Sequence, residues 1–467
     1  MRAAAVLLVL GVGCARSFES LPPPPAPLEA PVTEATPTDT TVVSQGPAEV
    51  DTMLAAIDAP RMAESIEMLV GFGTRHTLSA TDDPARGIGA AREGIAARLR
   101  TSSRLEVTMD RHRIEADGRR VDVPTDVVNV VATLRGAMPE AAGRRYYVIG
   151  HYDSRVTDPM NRTADAPGAN DDASGTAVVL ELARVMSQHE YDATIVFMAT
   201  AGEEQGLLGA RAHAQAAKEK GIDVRAVLSN DIVGDPSGPS GANHDGEVRV
   251  FSIALENPLS ETDLAQLRTL AGTHDGASRQ LARFVHSVGV KHALPVQAKL
   301  VFRRDRFLRG GDHTAFNEAG FAAVRFTEVE ENYDRQHQDV RTEAGHSYGD
   351  LAEHVDAEYL AGVARLNAAA LAHLANAPSM PGNARIDATG LSHDTTLRWD
   401  ASPEPDVAGY ELVWRETTAA VWTGVKDVGV ALEVTVPVSK DNLFFGVRAY
   451  DREGYRSPVR FMSVERR

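Results

Sequence analysis

The stretches YYVIG (146–150), GTAVVLELARVM (175–186) and TIVFMAT (194–200) decide the fold. The first and third are short apolar runs rich in β-forming residues, typical of buried strands, and the second has a helical pattern. The alternation continues with the strand-like runs AVLSND (226–231) and AAVRF (322–326), and with helical patterns over 206–220 and 350–374. It predicts an α/β fold, a doubly wound and mostly parallel sheet flanked by helices, with ligands at the carboxyl ends of the strands.

We place the α/β region at residues 48–377. A turn-rich segment follows it, and the pattern of the sequence then changes. Residues 383–467 contain short strand-like runs with turns between them, and they predict a small all-β sandwich. In GYELVWR (409–415), Tyr410, Leu412 and Trp414 share one face, as a half-buried strand requires. The segments SPEPDVAGYELVW (402–414) and VRAYDREGYRS (447–457) resemble a fibronectin type III domain.

The N-terminal residues predict export. Residues 1–20 hold a short apolar run after one positive charge, which suits a signal segment and is too short to span a bilayer. LGVGC (10–14) resembles a bacterial lipobox, which would make Cys14 a lipidated N-terminus, although secretory cleavage nearby or a cytoplasmic N-terminus remain open. Residues 21–47 are rich in proline and threonine and indicate an extended linker. We expect a cell-envelope lipoprotein or a secreted protein.

The charge balance excludes some partners. The chain has 48 basic and 65 acidic residues, a formal net charge of −17, which argues against nucleic acid and against anionic lipid. A membrane contact is therefore expected only through a lipid anchor at Cys14. The single cysteine excludes an intramolecular disulfide. The oligomeric state is not indicated.

Acidic and imidazole side chains follow successive predicted strands. They are His151 and Asp153, Glu203 and Glu204, and Asp231, joined by Asp171 before the first helix and by His337 in a polar loop. Each taken singly is more simply interpreted as a hydrogen-bonded histidine, a helix cap or a turn residue. Because parallel strands end at one edge of a sheet, these groups should meet, and their like charges would then require a cation.

The set of donors indicates which cation. Two histidines and three carboxylates without cysteine suit two zinc ions or a similar divalent metal, with one carboxylate shared between them. The side chains of adjacent glutamates diverge, so one can bind metal while the other accepts a proton from water. His151 and Asp153, two residues apart, point to the same side of an extended chain, so the carboxylate can orient the imidazole.

Six motifs together resemble a known family: HYDS (151–154), GANDDASGTAVVLE (168–181), AGEEQGLLGA (201–210), SNDIVG (229–234), GGDHTAF (310–316) and QHQD (336–339). In this order, over about residues 62–374, they are similar to the di-zinc aminopeptidases of the bacterial leucyl aminopeptidase type, peptidase family 28. The resemblance implies a zinc exopeptidase-like fold and removal of N-terminal residues from peptides or proteins. Two departures are Asn230, where the family usually has leucine, and the sequence around His337.

The resemblance also implies a role for each matching residue. His151 and Asp231 would bind one zinc ion, Glu204 and His337 the other, and Asp171 would bridge them. Glu203 would be the general base, Asp153 would orient His151, and the peptide bond between Asp171 and Asp172 would be cis. Tyr333 would hydrogen-bond the reaction intermediate, although an ordinary packed tyrosine fits equally well. Asp312 and His313 match a segment near the substrate pocket, where we expect support of the site.

Three functions remain to be separated. The favoured one is an aminopeptidase, because an acidic crevice attracts a positive amino terminus. Glutaminyl cyclases resemble this family closely but use one zinc ion, so the list of ligands separates them poorly. The third is an inactive peptidase fold acting as a binding protein, against which the complete ligand set and Glu203 argue.

Overall fold

The computed structural model describes residues 48–255, 260–269 and 272–465. The predicted signal segment with Cys14 and the linker over 21–47 lie outside these ranges and stay predictions. The described residues belong to one compact unit. None of the helices in the described ranges is long and apolar enough to cross a membrane.

The helices of the described ranges precede, connect and follow the strands of one large sheet. Their bounds are α1 Ala48–Ala55, α2 Ala59–Val70, α3 Ile88–Leu99, α4 Ala173–Met186, α5 Leu208–Glu219, α6 Glu261–Thr269, α7 Ala277–Lys291, α8 Asp312–Ala319 and α9 Ala357–Asn376. Short 3-10 turns lie at Gly272–His274 and Ala352–His354.

The strands fall into two regions of the chain. The first region contains β1 Glu106–Ile114, β2 Thr125–Leu134, β3 Arg145–His151, β4 Thr194–Thr200, β5 Val224–Asn230, β6 Glu247–Ser252, β7 Gln297–Val301, β8 Ala323–Thr327, β9 Arg341–Glu343 and β10 His346–Tyr348. The second contains β11 Gly382–Asp387, β12 Thr395–Asp400, β13 Val407–Glu416, β14 Gly424–Gly429, β15 Glu433–Val436, β16 Leu443–Asp451, β17 Arg460–Phe461 and β18 Ser463–Glu465.

The large sheet has the strand order β1-β2-β4-β3-β5-β8-β6-β7. Its centre, β4-β3-β5-β8, is parallel, and these are the strands that the apolar runs predict. The flanks are mixed, since β1, β2 and β4 pair antiparallel and β6 runs antiparallel to β8 but parallel to β7. The predicted α/β fold is confirmed, with a sheet that is mixed at its flanks.

Helices cover both faces of this sheet. On β3, Tyr146 and Val148 pack into the core shared with α2, α4 and α9, while Tyr147 and Ile149 pack into a second core with α5 and α8. This alternation is what a doubly covered strand requires, and it explains why β4 is buried at every position.

The second region confirms the predicted β-sandwich. Its two sheets have the orders β15-β12-β11-β18 and β14-β13-β16-β17. Leu397 and Trp399 of the first sheet share one buried core with Leu412, Phe445 and Val447 of the second. The sandwich is therefore closed by a core of its own.

Buried polar contacts join the sandwich to the α/β region. The Asp275 carboxylate lies 2.7 Å from the guanidinium of Arg283 on α7 and 2.8 Å from that of Arg415 on β13. The indole of Trp422 donates to Gln280 at 3.1 Å. Separation of the two regions would leave these buried charges unpaired, which is strongly destabilising. We therefore infer that the sandwich and the α/β region hold a fixed arrangement.

The helix predicted over 350–374 begins later than its pattern indicates. Asp356 caps α9 by accepting from the backbone N–H groups of Glu358 and Tyr359 at 2.9 and 3.0 Å. A side chain that accepts from these N–H groups marks the true helix start. Asp350 is thereby left outside the helix.

The imidazole of His373 makes stability depend on pH. It is 2% exposed on α9, with its Nε2 atom 2.8 Å from that of His292, and burial lowers its pKa to about 2, helped by Lys291 and His292. The unfolded chain binds a proton below a pKa of about 6.5, while the native state does not, so stability falls as pH falls. From about pH 7 to about pH 5 this residue should cost about 2 kcal/mol of unfolding free energy.

Denaturant unfolding of wild type and His373→Phe, at both pH values and in excess chelator, measures that contribution. We expect the variant to lose less stability on acidification than the wild type does. Equal losses in the two proteins would show that His373 is not responsible.

Candidate metal centre

The carboxyl ends of three neighbouring strands bring the predicted ligands together. β3 ends at His151, β4 is followed by Glu203 and Glu204, and β5 is followed by Asp231. The Nε2 atom of His151 lies 3.1 Å from a carboxylate oxygen of Asp171 and 3.8 Å from one of Asp231. The site therefore lies at the parallel centre of the sheet, where α/β folds bind ligands.

The side chains form two groups of possible metal ligands. One contains His151, Glu203 and Asp231, and the other contains Asp171, Glu204 and His337, with the ligand atoms of each group within 4.8 Å of one another. In the second group, the Nε2 atom of His337 is 2.9 Å from Asp171 Oδ2 and 3.0 Å from Glu204 Oε1. All five residues predicted to bind metal are present in these groups, together with the predicted base.

Asp171 lies between the two groups. Its Oδ1 atom faces His151 and its Oδ2 atom faces His337. One carboxylate with an oxygen directed to each group is the arrangement that a shared ligand of two metal ions needs.

The buried polar atoms fit a bound metal. His151 Nε2 and Glu204 Oε1 are buried and lack a hydrogen bond of good geometry among the described residues, and their near neighbours, Asp171 at 3.1 Å and His337 at 3.0 Å, are themselves predicted metal ligands. Buried polar atoms are rarely left without partners, so an ion is the simplest way to satisfy these two. Imidazole nitrogen and carboxylate oxygen are donors that zinc accepts.

The two adjacent aspartates have separate tasks. The Asp171–Asp172 peptide bond is cis, as the family resemblance implied. Asp172 caps α4 by accepting from the backbone N–H of Gly175 at 2.8 Å, and its other oxygen accepts from the backbone N–H of His151 at 3.0 Å. Asp172 therefore ties the helix start to the end of β3, which leaves Asp171 to the metal groups.

The small residue at Gly175 allows this close approach. A Cβ atom there would lie 2.2 Å from the carbonyl oxygen of Asn230 and 2.5 Å from the Asp172 carboxylate. The start of α4 can pack against the end of β5 only because residue 175 has no side chain.

Asp153 holds more than the histidine that it was predicted to orient. Its Oδ1 atom is 3.5 Å from Nδ1 of His151, which is nearer to the Asp153 backbone carbonyl at 3.1 Å. The carboxylate also accepts from the backbone N–H groups of Glu203 and Glu204 at 3.3 and 3.1 Å, and from Thr77 at 2.8 Å. Asp153 thus fixes both the imidazole and the backbone of the glutamate pair.

Two buried residues that the sequence analysis missed support the loop before α4. Arg75 is 0% exposed and donates to the carbonyl oxygens of Tyr152 at 2.7 Å and Gly168 at 2.9 Å. Asp350 accepts from the backbone N–H groups of Asn170 and Asp171 at 2.8 and 2.7 Å. These contacts cross 77 to 180 positions of sequence, and no local pattern indicates them.

Arg325 on β8 lies behind the first group. Its guanidinium is 1% exposed and lies 2.8 Å from a carboxylate oxygen of Asp231. It also donates to the Gly310 carbonyl at 2.6 Å. The cation offsets part of the negative charge of the site and holds Asp231 in place. The sequence does not indicate this role, since one arginine within an apolar strand carries no recognisable pattern.

Asp312 and His313 lie at the start of α8. Thr200, the last residue of β4, donates to Asp312, and the ring of His313 contacts the Arg304 carbonyl at 2.8 Å. The two residues are 2% and 0% exposed. Their burial favours support of the site over contact with a substrate, and that role stays a prediction.

Tyr333 lies on the surface, with 55% of the residue exposed. The guanidinium of Arg309 stacks on the Tyr333 ring at 4.9 Å. Tyr333 lines a cleft together with Phe251 and Phe307. None of the residues of the two metal groups lines that cleft. The predicted contact of Tyr333 with a reaction intermediate stays a prediction.

The charges of the site separate the roles of its carboxylates. Burial alone would raise the pKa of Asp171, but the imidazoles of His337 and His151 outweigh it and hold this pKa well below its usual range. Burial raises the pKa of Glu203 well above its usual range, and the Asp231 and Glu204 charges add to this. Asp171 is thus suited to stay ionised, and Glu203 is suited to accept a proton.

Two histidines and four carboxylates meet at the carboxyl ends of the central strands, supplied by those strands and by the loops that hold Asp171 and His337, and they form a site suited to a metal-dependent hydrolase. Residues 129–371 match the family model described as Peptidase family M28. A probable zinc metalloprotease of Leptosphaeria maculans is 45% identical over 88% of this chain and 96% of its own length. One of Pyricularia oryzae is 45% identical over 88% of this chain and 84% of its own length.

The chain therefore belongs to peptidase family M28 and is a zinc metallopeptidase. Among solved structures, it is similar to an aminopeptidase from Aneurinibacillus sp. strain AM-1, with a TM-score of 0.50 and 15% identity over 70% of this chain and 96% of that one. At that identity the similarity concerns the fold.

Proposed function

We propose that this peptidase is an aminopeptidase of the bacterial leucyl aminopeptidase type that uses two zinc ions. The observation that carries the proposal is the position of Asp171 between two groups of ligands, with Glu203 beside the first. His151 and Asp231 would hold one ion, and Glu204 and His337 the other, with Asp171 shared. When bound, such a pair polarises a carbonyl group and lowers the pKa of water.

Glu203 is the general base of the proposed reaction. Burial, which raises the pKa of its carboxyl group, increases its affinity for a proton. The Glu203 backbone N–H donates to the Asp153 carboxylate at 3.3 Å. This contact fixes the backbone position from which the Glu203 side chain extends. Glu203 accepts the proton of the attacking water and returns it to the leaving amine.

The charges near the site support recognition of an amino terminus. The residues of the two groups offer carboxylates, and the buried guanidinium beside them, that of Arg325, is already paired with Asp231 at 2.8 Å. Arg309, on the loop beside the site, stacks on Tyr333 and lies 3.8 Å from Glu331, so this cation is already engaged. A substrate ammonium suits such a site better than a substrate carboxylate does.

A panel of peptides tests the proposal. We expect stepwise release of amino acids from peptides with a free amino terminus, and no release when the same peptides are acetylated at that terminus. C-terminal amidation is the matched control and should leave the rate unchanged. Release from the carboxyl end would contradict the aminopeptidase assignment. Conversion of N-terminal glutamine to pyroglutamate, with one zinc ion bound, would instead identify a cyclase.

Three further proposals concern the rest of the chain. The sandwich at 383–467 has a core of its own, which supports a fibronectin type III-like spacer. The segments around Cys14 and over 21–47 support export and attachment of the enzyme to the cell envelope. Its partners would be the amino termini of peptides or proteins outside the cytoplasm.

A further inference from the structure

Gln336 contacts the carboxylate that lies between the two metal groups. It is 8% exposed, and its Nε2 atom donates to Asp171 Oδ2 at 2.9 Å. Gln336 directly precedes His337. One short segment therefore supplies a predicted metal ligand, His337, and a hydrogen bond to a second predicted ligand, Asp171.

Arg309 fixes which way the amide of Gln336 points. Its guanidinium donates to Gln336 Oε1 at 2.8 Å. Since the amide oxygen accepts from a guanidinium, the amide nitrogen must face Asp171. Arg309 is in turn held against the ring of Tyr333 and near Glu331. The chain Arg309–Gln336–Asp171 therefore has one consistent direction of donation.

This hydrogen bond reaches only one oxygen of Asp171. Oδ2, which accepts from Gln336, is the oxygen 2.9 Å from His337 in the second group. Within the described part of the chain, Gln336 makes no hydrogen bond to Oδ1, which faces His151 in the first group. Loss of the Gln336 donor should therefore affect the two groups unequally.

We propose that Gln336, oriented by Arg309, is a positioning residue that selectively strengthens the metal site formed by Asp171, Glu204 and His337. The inference rests on the proposed pair of metal sites. A donor on a ligating carboxylate fixes its orientation, and loss of such a partner costs roughly 10–100-fold in metal affinity. The first site, which uses Oδ1, should change far less.

The test is a Zn²⁺ titration of the metal-free full-length protein against a chromophoric chelator. Gln336→Met keeps the length of the side chain but removes the donor and the acceptor. We expect Gln336→Met to lower the zinc affinity of one of the two sites by roughly 10–100-fold and to leave the other nearly unchanged. Arg309→Met should act in the same direction, because it frees the amide to turn. Gln188→Met, at an exposed position after α4 and outside both groups, is the matched control and should leave both affinities unchanged.

Single-site backgrounds identify which site responds. Combined with His151→Ala, which disables the first site, Gln336→Met should weaken the remaining site. Combined with His337→Ala, which disables the second, it should have little effect. Thermal unfolding of the metal-free proteins checks that each variant folds.

Each other outcome is informative. A wild-type protein that binds one zinc ion would overturn the proposed two-metal function itself. Two wild-type sites that Gln336→Met leaves unchanged, or weakens equally, would overturn this inference and leave the two-metal function intact.

Discussion

Replacement of Glu203 by glutamine should lower kcat by roughly 10²–10⁴-fold, which is the usual contribution of a general base. The glutamine side chain has nearly the same shape but cannot accept a proton at neutral pH. The zinc content should stay that of the wild type, because His151, Asp171, Glu204, Asp231 and His337 all remain. Rates with a free-amino peptide, together with metal analysis of the same preparation, measure both effects.

Glu64→Gln provides the matched control, since Glu64 is exposed on α2 and lies far along the chain from the site residues. Its activity should equal that of the wild type. Retained activity in Glu203→Gln would remove Glu203 from the role of base. Loss of zinc together with loss of activity would instead identify Glu203 as a metal ligand. This is the main alternative role, because Glu203 lies in the first group of possible ligands.

The second large effect is expected at Asp171. Asp171→Asn keeps the hydrogen bond that the backbone N–H of residue 171 donates to Asp350 at 2.7 Å. It removes the negative charge between His151 and His337. Both zinc affinities should fall by more than the roughly 10–100-fold that loss of an outer-shell partner costs, and turnover should fall to background. The effect on two sites distinguishes this variant from Gln336→Met, which should weaken one.

Zinc titration and peptide hydrolysis measure the effect, with Asp82→Asn at an exposed position as the control. A variant that keeps one site at wild-type affinity would show that Asp171 belongs to a single site.

The sequence predicts the centre of the fold because that part depends on local patterns. The apolar runs of β3, β4, β5 and β8 are buried on both faces and are recognisable without knowledge of their neighbours. β1, which pairs at the edge of the sheet, contains four consecutive charged or polar residues at 110–113 and does not stand out as an apolar run. The antiparallel flanks were therefore not predicted.

The same division holds within the site. Asp171, Glu203 and Asp231 follow predicted strands or precede a predicted helix, so the order of elements already brings them together. Arg75, Asp350 and Gln336 reach the site by contacts between distant segments. Asp350 was predicted to begin a helix, and the motif that contains Gln336 indicated a role for His337 alone. Local pattern thus predicts candidate ligands, while the residues that hold those ligands depend on tertiary packing.

Anomalous diffraction at the zinc absorption edge, from crystals of the zinc-loaded protein, shows directly whether Asp171 joins two zinc sites. We expect two peaks roughly 3.5–4 Å apart, with the Asp171 carboxylate between them. His151 and Asp231 should contact one peak, and Glu204 and His337 the other. A single peak, or two peaks that do not share Asp171, would contradict the proposed role of Asp171.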